Sequence, residues 1–278
     1  MIDYHIHTDH STDASGTIAE YCQRALQIGL KEICFTNHCE LDPQRNDSFI
    51  RFNGEPETLS NRGLTKLQEE VFQARERFST NGLSVKFGIE VGYYPGMEKE
   101  LNRVMDGLSL DFVIGAIHCL DHICIDSSRE CDRYYDDHDV TQYVTEYMDA
   151  VSSLIRSRLF DSLAHVDVHK KYGRNRYGQN IDNVPRDLIA GVFGLMKEHG
   201  IAMEINTAGM RFMNEFYPAP ALMEIAREHH LEYITIGSDS HQPADLGKDL
   251  DLAIDYLKSF DFHTIYRFDN RQPSGISI

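Results

Sequence analysis

Basic side chains are scarce in this chain: 27 lysines and arginines stand against 44 aspartates and glutamates in 278 residues, for a formal net charge of -17. Such an imbalance repels a nucleic-acid backbone or an anionic membrane overall, so neither is expected as a partner. No apolar run reaches the ~18 residues of a membrane span. The start, Met1-Ile-Asp-Tyr-His5, lacks the basic head and apolar middle of a signal peptide, and the chain reads as cytoplasmic. None of the six cysteines sits in a Cys-x-x-Cys motif, so they read as small packing residues of a reducing compartment. Cys39 and Cys119 each follow a histidine of interest and, as strand neighbours, should point to the opposite side. No linker, repeat or low-complexity segment divides the chain, and 1–278 is expected to form one domain. With 41% hydrophobic residues it can bury a large core, and its length suits a single α/β barrel.

What the chain does carry is a crowded beginning. Three histidines and three aspartates share the stretch Asp3-Tyr-His5-Ile-His7-Thr-Asp9-His10-Ser-Thr-Asp13. Ile2 to Ile6 reads as a short strand, on which residues two apart share a side, so His5 and His7 project together and suggest a metal. A solvated polar segment is the competing reading of a lone His-x-His pair. The far end of the chain weighs against it: Ile234-Thr-Ile-Gly-Ser-Asp239-Ser-His241 repeats an apolar strand that ends in an alternate ligand pair. The two pairs can face each other only in a closed architecture.

Between them, strand and helix patterns alternate. Thr17 to Ile28 has helical spacing and stops at Gly29, and Glu32–Thr36 is a strand leading to His38. Residues 41–57, rich in Pro, Asn, Asp, Gly and Glu, are expected to form a lid or binding loop without structure of their own. Leu59–Phe78 follows as an amphipathic helix, then Val85–Val91 as a strand whose Glu90 needs a buried partner. A short helix at Met97–Asp106 precedes the continuous apolar strand Phe112–His118, and 119–138 is a second long loop. A helix at Val140–Arg156, the strand Phe160–His165, and the basic patch Lys170-Lys171-Tyr-Gly-Arg174-Asn-Arg176 come next. Helices near 185–199, 220–229 and 244–260 flank the strand Ile201–Asn206, with Arg211 in the turn after it, and the Asp239–His241 strand end. A last short strand near 264–268 completes about eight strands and seven helices. Continuous apolar strands mark a parallel sheet covered on both faces, and the alternation argues for a βα-barrel. In such barrels chemistry gathers at the C-terminal strand ends, where His5, His7, His38, Glu90, His118, His165, Asp239 and His241 all fall. Histidines 10, 122, 138, 169, 199, 229, 230 and 263 read instead as solvated residues.

Six histidines with Glu90, Asp239 and Asp13 exceed what one tetrahedral ion takes. Two or three divalent ions are implied, and mixed imidazole and carboxylate ligands suit zinc, iron or manganese alike. Glu90 could bridge two of them. Metals beside Lys170, Lys171, Arg174 and Arg211 point to a phosphate ester, because guanidinium forks match phosphate oxygens. For the 170–176 patch a solvated loop is an equal alternative; Arg211, directly after a strand end, is better placed.

His5-Ile-His7-Thr, Thr36-Asn-His38, Gly88-Ile-Glu90, Gly115-Ala-Ile-His118, Leu163-Ala-His165 and Gly237-Ser-Asp239-Ser-His241, in this order, resemble the polymerase and histidinol phosphatase (PHP) family. Within it, Gly88-Ile-Glu-Val-Gly-Tyr and Glu204-Ile-Asn-Thr-Ala-Gly-Met-Arg211 look most like the stand-alone histidinol-phosphate phosphatases. The resemblance spans essentially the whole chain. It implies a distorted barrel of seven βα units around a trinuclear centre: His5, His7, Glu90 and Asp239 for the first ion, Glu90, His118 and His165 for the second, and Asp13, His38 and His241 for the third. Asp13 stands where some members have histidine, and Thr36-Asn-His38 replaces the usual Thr-Asp-His. Arg174 and Arg211 resemble the family's phosphate-binding arginines, with Lys171 a further candidate contact. The expected chemistry is hydrolysis of L-histidinol phosphate, in histidine biosynthesis, by metal-hydroxide attack, with Asp239 taking the water's proton, Glu90 at the reacting centre and Arg211 neutralising the phosphate. His122 is one candidate donor to the leaving alkoxide. Rival readings are a phosphoesterase for another small monoester or for nucleotide ends, and a non-catalytic metal-binding module.

Overall fold

Seven parallel strands, taken in chain order, build the sheet in a computed structural model that describes residues 1–278. They are β1 (Ile2–Asp3), β2 (Glu32–Phe35), β3 (Ser84–Gly92), β4 (Phe112–Ala116), β5 (Ser162–Leu163), β6 (Ala202–Asn206) and β7 (Ile234–Gly237). Each strand pairs in parallel with the next. The sheet curls until its ends meet. Tyr4 N donates to Ile236 O at 3.0 Å and His7 N to Ser240 O at 2.9 Å, and buried Asp3 accepts from Ser238 N and Gly247 N. Closure thus falls between the two ligand pairs at the chain's extremities. A short strand, His38–Glu40, runs beside the second half of β3 and sets His38 opposite Glu90.

The residue chemistry accounts for this course. Phe112–Ala116 and Ala202–Asn206 are buried throughout, as strands covered on both faces require. Thr17 and Glu20 form a capping box at the start of the helix Ile18–Ile28, which ends at Gly29 with φ 80°. One continuous apolar cluster of 77 buried residues fills barrel and helix layer, so the strands share a single core. No helix is long and apolar enough to cross a membrane.

Several expectations are corrected. The strand near 264–268 is outside the barrel: Thr264–Asp269 pairs antiparallel with Gln272–Ser277. This hairpin caps the N-terminal end of the barrel, with the Phe268 backbone bonded to Tyr4 Oη and Arg271 paired to Asp161. Residues 41–57 do have structure, because Asn53 and Gly54, both at positive φ, turn Phe49–Phe52 back onto Glu55–Thr58. In 119–138, Asp121 and His122 turn a second hairpin, Cys119–Leu120 with Ile123–Cys124, before a helix at Cys131–Tyr135. The basic patch is a helix, Lys170–Tyr177, rather than a loop. The last helix starts late, at Leu250, because Gly247 and Asp249 adopt left-handed φ after a turn of 3-10 helix at Pro243–Asp245.

Candidate active site

At the C-terminal mouth of the barrel the strand ends converge on Glu90, itself 1% exposed. Its Oε1 lies 3.3 Å from His5 Nε2, 3.3 Å from His118 Nε2 and 3.1 Å from His165 Nε2. Its Oε2 lies 2.8 Å from His38 Nδ1 and 3.5 Å from His7 Nε2. Asp239 Oδ1 faces His5, His7 and His241 at 3.4–3.6 Å. Asp13 Oδ2, at the exposed rim, stands 3.4 Å from His38 Nε2 and 3.3 Å from His241 Nε2. All nine residues singled out as ligands from the sequence therefore meet in one place. Seven of them form overlapping groups with metal-ligand spacing: His5, His7 and Glu90; Glu90, His118 and His165; and His7, His38 and His241.

These donors fit cations. His5 Nε2 and His7 Nε2 are buried without any hydrogen-bond partner, and buried His38 Nδ1 and Glu90 Oε2 meet only each other, although orphaned buried polar atoms are costly. Burial disfavours the charge on Glu90, yet the surrounding imidazoles, His5 first, hold its carboxyl well below the usual range. Burial and the neighbouring His38 and His241 lower His7 to about 3, keeping its lone pair available. Burial also opposes protonation of His5, but Glu204, Asp239 and Glu90 outweigh it and raise its pKa well above the ordinary value.

Two partners were not singled out from the sequence. Glu204, on β6, lies 2.6 Å from His5 Nδ1, and Glu40 lies 2.7 Å from His118 Nδ1. Each turns the other ring nitrogen toward Glu90, the arrangement that orients metal-binding imidazoles. The signal for Glu204 was present: a carboxylate inside the apolar run Ala202-Met-Glu-Ile-Asn206, as Glu90 is in its own strand. Asn206, also missed, donates to both Glu204 and Asp239.

The cationic residues are placed unequally. Arg211, in the helix Ala208–Met213, donates from Nη2 to the Ser238 and Asp239 carbonyls, while its Nη1 is buried with no partner. Arg174 is engaged by Asp182 and Glu215. Lys171 Nζ stands 4.5 Å over the Phe212 ring; burial works against its charge, but Asp126 and other neighbours raise its pKa. Lys170 is buried on Asp167 and faces away from solvent. His122 is tied to Asp42 at 2.5 Å and to Gln44 at 2.9 Å. Two histidines read as solvated are in fact buried: His10, bonded to Thr8 and Glu70, and His169, fully enclosed. A groove of about 780 Å³ between the helices Ile18–Ile28 and Asn61–Ser79 contains none of the candidate ligands.

A barrel with this ring of imidazoles and carboxylates at its mouth is the architecture of a metal-dependent hydrolase, and the chain belongs to the PHP domain family, whose model matches residues 3–208. A Deinococcus radiodurans protein named "Probable histidinol-phosphatase" is 31% identical over 98% of this chain and 99% of its own. The histidinol-phosphatase of Lactococcus lactis is 24% identical, over 100% of this chain and 96% of its own. A crystal structure of the Lactococcus lactis histidinol phosphate phosphatase, complexed with zinc, L-histidinol and phosphate, has the same fold: TM-score 0.78 at 22% identity, covering 98% of each chain.

Proposed function

We propose that this chain is a histidinol-phosphatase, hydrolysing L-histidinol phosphate to L-histidinol and phosphate with two to three divalent cations, zinc, manganese or iron, at the Glu90 cluster. The observation that carries the reading is Arg211: its Nη2 is anchored on the backbone carbonyl of the candidate ligand Asp239 and its buried Nη1 has no partner, in a chain 31% identical over nearly its full length to the Deinococcus protein. His5, His7, Glu90 and Asp239 would hold one ion, Glu90, His118 and His165 a second, and Asp13, His38 and His241 a third. Such cations neutralise charge on phosphate oxygens and make a water more acidic.

The protein's own groups supply the remaining work. Glu204 and Glu40 accept hydrogen bonds from the Nδ1–H groups of His5 and His118, which leaves both Nε2 lone pairs directed inward. Asp239, steadied by Asn206 Nδ2 at 3.2 Å, accepts the proton of the nucleophilic water at its carboxylate. Arg211 binds the phosphate through Nη1 while its Nη2 stays anchored on the Ser238 and Asp239 carbonyls. Lys171, at the rim, adds a second positive charge, and Arg174 contributes only where phosphate displaces Asp182 or Glu215.

The test is steady-state phosphate release from L-histidinol phosphate, p-nitrophenyl phosphate and a short oligonucleotide, by manganese- or zinc-loaded protein. A large kcat/KM preference for L-histidinol phosphate is expected. Activity on the generic ester alone would reject the substrate and keep the hydrolase; absence of activity in fully loaded protein would reject both.

A further inference from the structure

An imidazole that offers one nitrogen to a metal is oriented by a hydrogen bond at the other. His5 and His118 have carboxylate partners for this purpose, but His165 does not. Its Nε2 is 3.1 Å from Glu90, and its Nδ1 is buried with no partner. Two other groups on the same wall share that condition. Tyr217 is 2% exposed, its ring lies edge-on to His165 at 6.4 Å between centroids, and its Oη has no partner. Asp167 is fully buried; Oδ2 takes Lys170 Nζ at 2.6 Å and Ala219 N at 3.0 Å, while Oδ1 has no partner.

None of the three can easily turn elsewhere. Tyr217 is clamped to β6, its backbone N and O both bonded to Asn206. The bond from Ala219 to Asp167 draws the segment after Tyr217 onto the carboxylate two residues beyond His165. A buried polar group without a partner is destabilising, so three unrelated ones in one wall would be a heavy burden. As a set they are complementary: an imidazole N–H donor, a hydroxyl that donates and accepts, and a carboxylate that only accepts.

We propose that Tyr217 and Asp167 are positioning residues for His165, jointly receiving its Nδ1–H through an ordered water and so holding Nε2 on Glu90. Lys170 Nζ, 2.6 Å from Asp167 Oδ2, holds that carboxylate in place. This rests on the reading that His165 ligates a cation, and not on the identity of the phosphate ester.

Tyr217→Phe removes only the hydroxyl. The full-length apoprotein and this variant would be titrated with zinc and with manganese in competition with a chromophoric chelator, without substrate. The expected result is one class of ion weakened about 10- to 100-fold, the other unchanged, and a pNPP-hydrolysis kcat that recovers as metal is raised. Asp167→Asn should move metal affinity in the same direction and also lower stability, since buried Lys170 loses its counter-charge. Wild-type metal titration in Tyr217→Phe overturns the proposal. So does a lowered melting temperature with unchanged metal affinity, which would assign Tyr217 to packing alone. Failure of L-histidinol phosphate as substrate would leave the titration untouched.

Discussion

At His5 a single side chain is prepared for a cation from both ends, with Glu204 at Nδ1 and the buried, unpartnered Nε2 aimed between Glu90 and Asp239. Glu204→Gln keeps the shape but replaces the carboxylate with a weaker neutral acceptor. Metal affinity should fall about 10- to 100-fold, read by equilibrium titration. Arg211→Ala removes the one guanidinium arm left free for phosphate, and kcat/KM on L-histidinol phosphate should drop by about 10²- to 10³-fold, the usual loss for a preorganised donor to developing charge. His169 tests a different property. Burial first, and then Lys170, lower its pKa from 6.5 to about 3. The unfolded chain takes up a proton as pH falls below about 6.5, while the folded chain refuses it until about pH 3. Stability therefore declines through that window by up to about 1.4 kcal/mol per pH unit. Urea unfolding of the metal-free protein at pH 7, 6 and 5 should show a shallower decline in His169→Phe, which keeps the ring against Tyr147.

The strands are spaced by what their side chains must reach. Gly237, at the end of β7, is where β7 passes β1: a Cβ there would sit 2.3 Å from His5 Cβ and 2.6 Å from Glu204 Oε1. Gly237→Ala should cost about 1–3 kcal/mol by overpacking, read from denaturant midpoints, and should weaken metal binding as well because the crowded residue is the His5–Glu204 pair itself. Elements with long apolar runs, such as Phe112–Ala116, were legible in the sequence because burial on both faces leaves little room for polar residues. The hairpins within 41–57 and 119–138 were not. Glu55–Thr58 is exposed throughout and shows no alternation, so the Asn53-Gly54 turn was the only clue. The second hairpin has strands of two residues, too short for any period.

For the molecule as a whole, the concentrated carboxylates make cation binding part of stability. Glu90 and Asp239 lie inside the barrel mouth and Asp13 at its rim, in a chain of net charge -17. Ions that bind the folded chain alone stabilise it by about 2.7 kcal/mol at a hundredfold excess over Kd. Chelation should thus lower Tm by several degrees, and restored zinc or manganese should reverse the change, as followed by calorimetry. An unchanged Tm would argue against tight ions at the Glu90 cluster.

Residue order alone was enough to set eight candidate ligands, from His5 to His241, at strand ends, because side-chain period and apolar runs are local properties. It also determined that two ligand pairs at opposite ends of the chain need a closed sheet. Which carboxylate meets which imidazole depends on folding in three dimensions. His5 and Glu204 are 199 residues apart, and His118 and Glu40 are 78 apart. The strand end before it favoured Arg211 over Arg174 in sequence, but only packing sets Arg174 against Asp182 and Glu215 and leaves Arg211 with a buried Nη1 that has no partner. The burial of His10 and His169 and the shared wall of His165, Asp167 and Tyr217 were likewise settled by closure of the barrel, since a contact through space has no signature in the residues on either side of it.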